Sequence, residues 1–497
     1  MTTNHFNSPG NIVFDEETIR RLFGHEAAED EDIRRLKQYY VRSDLYDCMR
    51  SNINMFVLVG HKGVGKSALL KVLASEDYDL DIISINIQPD DILSLNLDSI
   101  DFLQKIRDWK EGLSRIILRR LISNIIQQDP KKKWEPLLSS LTSSISSILG
   151  RAVSSLAKEY SDLTPEEILQ VFNENGVLRH KVVTVYMDDL DRGWKASKND
   201  IENISAMLNA IRDIAREVKN IRFRIALRSD VYYAYKTSDE STDKVDGSVL
   251  WQKWTNHEIL VMLIKRLESF WGRNIDEKRL LCMEQQRLNG LLKGVFEPTF
   301  HGVGKWKEVS IYRILMSMTR KRPRDLVKLC TLAARNAFQT GKPIICGENL
   351  QRVFLNYSND RLTDVSNEYR SELPQVKELL LKMKPSKREF ESQSPCIYPR
   401  DVLITKLKDI KSMSNLTFSN GTIPTADELG AFLFKINFIT ARQDTAHGIQ
   451  RIYYDENRYI YNEFVDFGYK YEIHPAYRWA LQPDRLDDLY RQITLDE

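Results

Sequence analysis

The chain has 497 residues, which is too long for one compact core and favours about three domains. Its hydrophobic content of 42% and charged content of 29% are typical of globular proteins, and no window approaches the about 20 apolar residues of a membrane span. The net charge of +2 neither indicates nor excludes a nucleic-acid partner, because the clustering of charge decides that question. We therefore expect a cytoplasmic protein without a membrane partner.

Cysteine and histidine usage gives no sign of a metal or redox centre. The five cysteines have no CxxC pair, and the eight histidines form no HxxxH or HExxH motif. We expect buried thiols in a reducing compartment. The polar start of the chain, residues 1–10, lacks the apolar core of a signal peptide.

The first 50 residues are charged and favour helices. Apolar residues recur there at helical spacing in two groups, namely Ile19, Leu22 and Phe23, then Ile33, Leu36 and Tyr39. We expect a lead-in segment of helices over residues 1–50. Tyr39 and Tyr40 could flank a nucleotide base, although packing in the interior is the favoured interpretation.

A phosphate-binding loop follows an apolar run at residues 56–59. Residues 60–67, GHKGVGKS, fit the pattern GxxxxGK[ST] between a predicted strand and a predicted helix. A chain of this length meets the pattern by chance roughly once in fifty, and the strand and helix on either side lower that chance. The sequence therefore predicts a site for ATP.

Each part of this loop has a chemical reason to be there. The glycines let backbone N–H groups turn towards the phosphates, and the following helix adds its positive N-terminus. Lys66 can reach the β- and γ-phosphates, and the hydroxyl of Ser67 can ligate Mg²⁺. The predicted nucleotide contacts are Gly60, His61, Lys62, Gly63, Val64, Gly65, Lys66, Ser67 and Ala68.

A second apolar run, VVTVYM at residues 182–187, ends in Asp188 and Asp189. Carboxyl ends of parallel strands meet at one sheet edge, so Asp188 is the predicted Mg²⁺ carboxylate. Asp189 lies where many ATPases have a Glu that polarises the attacking water. The alternative is a solvated turn after a buried strand. Because Asp is shorter than Glu, we expect slow hydrolysis.

The rest of the chain divides by its patterning. Strands are predicted at 80–88 and after 220, with a helical insertion over 95–180 that includes a serine-rich amphipathic helix at 137–157. Beyond 350, a helix followed by alternating sequence with a turn at 455–457 favours a winged-helix-like module. The predicted domains are therefore 1–50, the ATPase core 51–245, a helical lid 246–348 and the C-terminal module 349–497.

Together these motifs resemble those of the AAA+/STAND ATPases, which insert an extra strand between the loop and the acidic strand. The segment MDDLDR with Trp194 is similar to the second motif of KAP-like members, RIALRSD to their sensor-1 strand and KRPRDLVKLC to their lid. The lead-in FGHEAAEDEDIRRLKQYYV resembles that of bacterial P-loop ATPases associated with phage defence. We saw no arginine-finger signature of ring-forming members, which disfavours a hexameric motor.

This resemblance implies a fold and further site residues. The fold is an α/β P-loop NTPase core with a parallel sheet, a helical insertion, a helical lid and a C-terminal winged-helix-like α+β domain. Arg228 or Ser229 would lie beside the γ-phosphate, with Arg228 closer to the family pattern. Arg324 would reach the nucleotide from the lid and act with Lys66 and Asp189 in catalysis. Arg192 could sense the γ-phosphate or pair with Asp191.

Three functions stay open at this point. The favoured one is a regulatory ATPase switch for an effector or sensor protein subunit, with homo-oligomerisation open and a setting in anti-phage defence implied by the resemblance. The alternative is an ATP-dependent nucleic-acid-binding protein, supported by basic clusters at 131–133, 320–324 and 384–388. A small-molecule kinase is the weakest. His474 has no evident partner in the sequence and is expected to be structural.

Overall fold

The computed structural model describes residues 12–496, apart from 81, 94, 96–98, 129–181, 239–242, 274, 392–393, 446–447 and 458–467. Contacts between residues divide the chain into two compact units. We call residues 42–61 and 66–252 the sheet unit, and residues 12–41, 62–65 and 253–496 the helical unit. Among the helices of the described residues, none is long and apolar enough to span a bilayer.

The lead-in segment forms two helices of the helical unit, α1 (Glu16–Phe23) and α2 (Ile33–Tyr39). Asp15 begins α1 by accepting a hydrogen bond from Thr18 N, and Asp32 caps α2 in the same way. The apolar residues that predicted these helices are largely buried, which confirms the helical spacing. Tyr39 and Tyr40 are also buried, which agrees with the packing interpretation.

Within the described residues of the sheet unit, five strands form one parallel sheet. They are β1 (Met55–Gly60), β2 (Ile83–Ile87), β3 (Val183–Met187), β4 (Ile221–Arg228) and β5 (Val249–Trp251). The first four were predicted from their apolar runs. The three-residue β5 was not, because it lies beside a polar stretch that reads as a loop.

The spatial order of the strands is β2-β3-β4-β1-β5, so β4 lies between β1 and β3. Gly60 at the end of β1 pairs with Arg228 at the end of β4, and Met187 at the end of β3 pairs with Ile225. The carboxyl ends of the three strands therefore share one edge of the sheet. The extra strand between loop and acidic strand, expected from the resemblance, is confirmed.

Helices cover this sheet. They are α3 (Asp44–Arg50), α4 (Lys66–Asp79), α5 (Pro89–Ile92), α6 (Phe102–Gln128), α7 (Lys198–Glu217), α8 (Ser229–Ser238) and α9 (Asp243–Asp246). Arg224 on β4 holds the segment that leads into β1, because its guanidinium donates to the carbonyls of Met49, Ser51 and Ile53. The predicted helix at 137–157 and most of the predicted insertion lie outside the described residues.

The middle of the helical unit contains helices and a short hairpin. Its elements are α10 (Asn256–Phe270), α11 (Glu277–Leu281), α12 (Gln285–Leu291), β6 (Thr299–His301), β7 (Lys307–Ser310), α13 (Ile311–Ser317), α14 (Pro323–Gln339) and α15 (Gly347–Tyr369). Thr255 and Glu258 form a capping box that begins α10. The predicted helical character is confirmed, whereas the β6–β7 hairpin was not predicted.

The C-terminal part has the helix-then-hairpin order of a winged helix. Its elements are α16 (Val376–Lys382), α17 (Lys387–Phe390), β8 (Ile397–Tyr398), α18 (Arg400–Ser412), α19 (Ala426–Lys435), β9 (Ile439–Thr445), β10 (Gly448–Ile452), β11 (Lys470–Ile473), α20 (Pro475–Leu481) and α21 (Leu486–Gln492). The described strands form an antiparallel sheet in the order β10-β9-β11-β8.

This module has a β9–β10 hairpin that was not predicted. β10 is antiparallel to β9, with Gly448 opposite Thr445. The predicted turn at 455–457 is present but follows β10, and residues 458–467 lie outside the described part. His474 is structural as expected, because it accepts from Ala476 N at the start of α20 and contacts the Tyr453 hydroxyl at 2.8 Å.

The five cysteines are free thiols, but they are not all buried. Cys330 and Cys396 lie in the interior, whereas Cys48 and Cys282 are exposed and Cys346 is intermediate. The prediction of buried thiols was therefore wrong for Cys48 and Cys282. Both lie at or near the ends of short helices, where one face meets solvent.

Candidate nucleotide-binding site

The lysine of the phosphate loop is held by the loop itself. β1 is buried along its length and ends at Gly60, and α4 begins at Lys66. The Lys66 ammonium donates to the carbonyls of Gly60 and His61, at 2.8 and 3.1 Å. This places a cation at the mouth of the loop, where a phosphate would be bound.

Ser67 and Asp188 meet across the sheet edge. Ser67 is the second residue of α4 and Asp188 follows β3, and hydrogen bonding from the Ser67 hydroxyl acts to lower the pKa of the Asp188 carboxyl. Burial raises the pKa of Asp188, opposed by that hydrogen bond and by the charge of Lys66. Two residues that were predicted from separate motifs as Mg²⁺ ligands are thus neighbours.

The donor set suits Mg²⁺. This ion prefers oxygen ligands and is usually held by one or two protein groups together with substrate phosphates. Ser67 and Asp188 supply such oxygens. In the part of the chain that the structure describes, there is no cluster of three or more His, Cys, Asp or Glu that would favour an all-protein metal cage.

Asp189, the predicted water-orienting residue, is exposed and has an unusual backbone. Its φ is +58°, in the left-handed region that side chains rarely adopt, and its N–H donates to the Asp188 carboxylate at 2.9 Å. Such backbone conformations cluster at functional sites. Its side chain is exposed, and its role in orienting an attacking water stays a prediction.

Arg228 lies at the end of β4 between two carboxylates. Its Nε and Nη2 donate to Asp230 at 3.0 and 2.7 Å, and its Nε is 3.1 Å from Asp191 Oδ2. The pairing of Asp191 with Arg192, one of the two sequence interpretations, is therefore wrong. Adjacent strands bring Arg228 to Asp191, whereas Arg192 is exposed.

Asp191 is a site residue that sequence reasoning missed. It is only 7% exposed, and burial raises its pKa to about 6 against the opposing charge of Arg228. The third acid of the DDLD segment was the available signal, but the sequence does not tell which of the three carboxylates is buried.

His61 and Ser229 join the loop to the start of α8. The His61 ring Nδ1 is 3.1 Å from the Ser229 hydroxyl, and both residues are buried. Of the two sensor-1 candidates, Ser229 contacts the loop and Arg228 contacts acids. Ala68 lies on the first turn of α4, partly buried.

Residues 62–65, the tip of the loop, group with the helical unit. Gly63 and Gly65 have φ of +84° and +95°, which glycine adopts without strain. Trp254 donates from its ring N–H to the Val64 carbonyl at 2.7 Å, and Arg324 N donates to the Gly63 carbonyl at 3.3 Å. A Cβ on Gly63 would lie 3.0 Å from the Arg324 Cβ.

The structure therefore places Arg324 directly against the loop tip. Its Nε donates to the Glu26 carbonyl at 3.1 Å, which holds the side chain against the lead-in segment. The role of Arg324 in touching the nucleotide stays a prediction.

Two further residues contact the loop tip and were not predicted as a pair. Lys62 N–H donates to Glu368 at 3.2 Å, and Arg322 donates to the Lys62 carbonyl at 3.3 Å. Arg322 and Glu368 also form an ion pair at 3.0 Å. Glu368 carried no sequence signal, because it follows Lys62 by 306 residues.

The basic cluster at 320–324 is not a surface patch. Arg320 and Arg322 are buried, and Lys321 pairs with Glu456. Arg320 binds Asp325 through two hydrogen bonds of 2.6 and 2.8 Å. The prediction that this cluster could support nucleic-acid binding is therefore wrong. The cluster at 131–133 lies outside the described residues.

The sheet unit thus has an α/β P-loop-like core, with the loop, the acidic strand and an intervening strand at one edge, and the chain also carries a helical domain. Residues 280–366 match a family model described as the FunZ-associated C-terminal helical domain. This segment spans most of the region from α11 to α15.

Similar proteins were found by sequence and by structure. The putative transposon gamma-delta 80.3 kDa protein of Escherichia coli (strain K12) is 24% identical over 442 residues, which cover 82% of this chain and 58% of that protein. This chain therefore spans less than two thirds of that relative.

The solved structures are more distant. Aeropyrum pernix ORC2 in its ADPNP–ADP complexes has a TM-score of 0.40 and 11% identity, covering 93% of this chain and 98% of that one. Drosophila ORC bound to DNA has a TM-score of 0.30 and 9% identity, covering 93% and 92%. Likenesses of this size carry no argument about this chain, so the description of the core rests on its own strand order and loop.

Proposed function

We propose that this protein binds ATP with Mg²⁺ and hydrolyses it slowly to ADP and phosphate. The observation that carries the proposal is the contact between Ser67 and Asp188 beside Lys66. These residues come from separate motifs, and their meeting supports a common site for Mg²⁺ and phosphate. Mg²⁺ would neutralise phosphate charge there, while Lys66 and the loop N–H groups bind the phosphate oxygens.

Slow turnover is part of this proposal. Asp189 stands where a longer Glu would hold the attacking water, and its side chain is exposed. A solvated carboxylate on a short side chain orients water less closely, so the residence time of ATP is expected to be long. A long-lived ATP state suits a regulatory switch better than a motor.

We further propose that the switch acts on a protein partner. Phosphate contacts that order or release a segment are an established way to build such a switch. The contacts of Arg324 with the loop tip and the lead-in segment support a response of the helical unit to nucleotide. The resemblance of the lead-in to defence-associated ATPases supports a role against phage.

Calorimetry with ATP tests the first part. We expect saturable binding in the presence of Mg²⁺ and weaker binding after chelation, because Ser67 and Asp188 contribute through the metal. Slow release of phosphate should accompany binding. Absence of ATP binding under both conditions would refute the proposal.

Isolation of native partners tests the second part. A protein partner that is retained with a non-hydrolysable ATP analogue and lost with ADP supports the switch. Co-purifying DNA or RNA, with affinity that falls steeply with salt, would favour the nucleic-acid alternative instead. In infected cells, loss of protection by a Lys66→Ala variant would support the defence setting.

A further inference from the structure

We propose that Arg322 and Glu368 form a positioning pair for the phosphate loop, through which ATP occupancy is linked to α15 and the C-terminal module. The inference rests on the proposed ATP site and names a regulation of that site. Both side chains form hydrogen bonds with the backbone of Lys62, the third residue of the loop.

The geometry places one group of the pair on each polar atom of Lys62. Glu368 accepts from its N–H at 3.2 Å, Arg322 donates to its C=O at 3.3 Å, and the two side chains bind each other at 3.0 Å. With both atoms engaged, rotation of the backbone at this position is restricted. The orientation of the neighbouring loop N–H groups towards a phosphate depends on that backbone.

Stability alone does not explain the pair. Arg322 is 2% exposed and Glu368 is 7% exposed, and taking such charges out of water is costly. Within the described residues, Arg322 Nε and Nη2 are buried and have no hydrogen-bond partner. Apolar residues of similar volume would give the fold at least equal stability. An incompletely satisfied buried pair beside a ligand loop favours a functional role.

The pair also connects the loop to a distant part of the helical unit. Glu368 is the next-to-last residue of the 23-residue helix α15. Along that helix, Phe354 packs on Trp479 of α20 with ring centroids 4.9 Å apart, and Ser358 accepts from Ala480 N at 2.9 Å. A shift of α15 by a partner of the C-terminal module would move Glu368 relative to Lys62. By linkage, ATP would in turn change the affinity for that partner.

The variant Glu368→Gln tests the pair. Gln keeps an acceptor for the Lys62 N–H but removes the charge that balances Arg322. We expect ATP affinity in calorimetry to fall about tenfold, the effect of weakening charge-assisted hydrogen bonds. Arg322→Gln should cause a similar loss, and the double variant should be no worse than either single variant, because the two side chains act as a unit.

Glu372→Gln is the matched control. Glu372 pairs with the buried Lys435 at 2.7 Å in the same unit but does not contact the loop. We expect a similar fall in the thermal midpoint without nucleotide for both variants, with ATP affinity changed only by Glu368→Gln. If Glu368→Gln fails to fold, Glu368→Asp retains the charge and displaces the acceptor, and a fall in ATP affinity is again expected.

Two results would overturn the inference while leaving the proposed function intact. One is wild-type ATP affinity in both Glu368 variants. The other is tighter ATP binding, which would mean that the carboxylate competes with phosphate rather than positioning the loop. Failure of the wild-type protein to bind ATP would refute the proposed function and this inference together.

Discussion

Two groups of arginines and aspartates in this molecule have opposite charge balance. In the sheet unit, Arg228 faces two acids, Asp191 and Asp230, and the Arg228 side chain is 23% exposed. In the helical unit, Asp325 faces two bases, Arg320 and Arg361, and the three side chains are almost fully buried.

The pKa values of Asp191 and Asp325 are shifted in opposite directions. Burial raises the pKa of Asp191 to about 6, and one arginine shared with a second acid does not reverse this. Burial would also raise the pKa of Asp325, but Arg320 and Arg361 outweigh it and hold that pKa well below its usual value. A single arginine that is shared and partly solvated can exchange partners. A doubly paired acid in the interior is structural.

The largest expected effect is that of Lys66→Ala in the sheet unit. Removing the cation at the mouth of the loop should abolish measurable ATP binding in calorimetry, because no other side chain is predicted to reach the β- and γ-phosphates from the loop. Lys198→Ala, at a side chain that is 93% exposed in the same unit, is the control and should bind normally. Unchanged binding by Lys66→Ala would refute the assignment of the loop.

In the helical unit, Asp325→Asn should lower the free energy of unfolding by about 3–5 kcal/mol, because it leaves the buried Arg320 without a counter-charge and leaves Arg361 with only the exposed Asp364. Chemical denaturation followed by tryptophan fluorescence measures this. Asp364→Asn is the control, since Asp364 pairs with the same Arg361 at 2.7 Å but is 52% exposed. Its effect should stay below about 1 kcal/mol. Equal falls in the free energy of unfolding for the two variants would show that the burial of Asp325 does not strengthen its ion pairs.

In the sheet unit, Asp191→Asn should change how the stability of the protein depends on pH. Because the folded protein raises the pKa of Asp191 above the ordinary value of 3.8, the fold favours its protonated form. The associated stability is fully present below pH about 3.8 and is lost as the pH rises through about 6. Asn cannot ionise and avoids this loss.

The free energy of unfolding of Asp191→Asn, relative to the wild type, should therefore increase between pH about 4 and about 6.5, by up to about 3 kcal/mol. Denaturant titrations across this range would measure the difference. A difference that does not vary with pH would show that the carboxyl titrates alike in the folded and unfolded states.

The smallest expected effect is that of Asp189→Asn on turnover. An exposed, short carboxylate orients water weakly, so the rate of phosphate release should fall about tenfold, with ATP affinity unchanged. Steady-state phosphate release and calorimetry on the same protein separate the two quantities. Hydrolysis at the wild-type rate would exclude Asp189 as the water-orienting residue.

The sequence was sufficient where the chemistry is local. The phosphate loop could be predicted because its glycines must adopt positive φ, as Gly63 and Gly65 do, and because the lysine and serine follow at set positions. The strands of the sheet could be read from uninterrupted apolar runs, except for the three-residue β5. Asp188 could be paired with Ser67 because parallel strands bring their carboxyl ends to one edge.

The sequence was insufficient where partners come from distant parts of the chain. The basic segment at 320–322 resembles a solvated patch in one dimension, but its arginines pair internally with Asp325 and Glu368. Asp191 and Arg192 are neighbours in sequence, whereas strand order brings Arg228 to Asp191 instead. The pairing of β10 with β9 was not predicted either, because alternating residues do not reveal which strand they pair with.

By itself, the sequence determined that this protein has a phosphate loop, an acidic strand and a helical region beyond them. These features depend on backbone conformation and hydrophobic periodicity, which act within a few residues. The tertiary structure alone decided which charges are solvated and which are locked in the interior. It also decided that Glu368, 306 residues from Lys62, contacts the loop, because the placement of an ion pair depends on how helices and strands pack and on the burial that results.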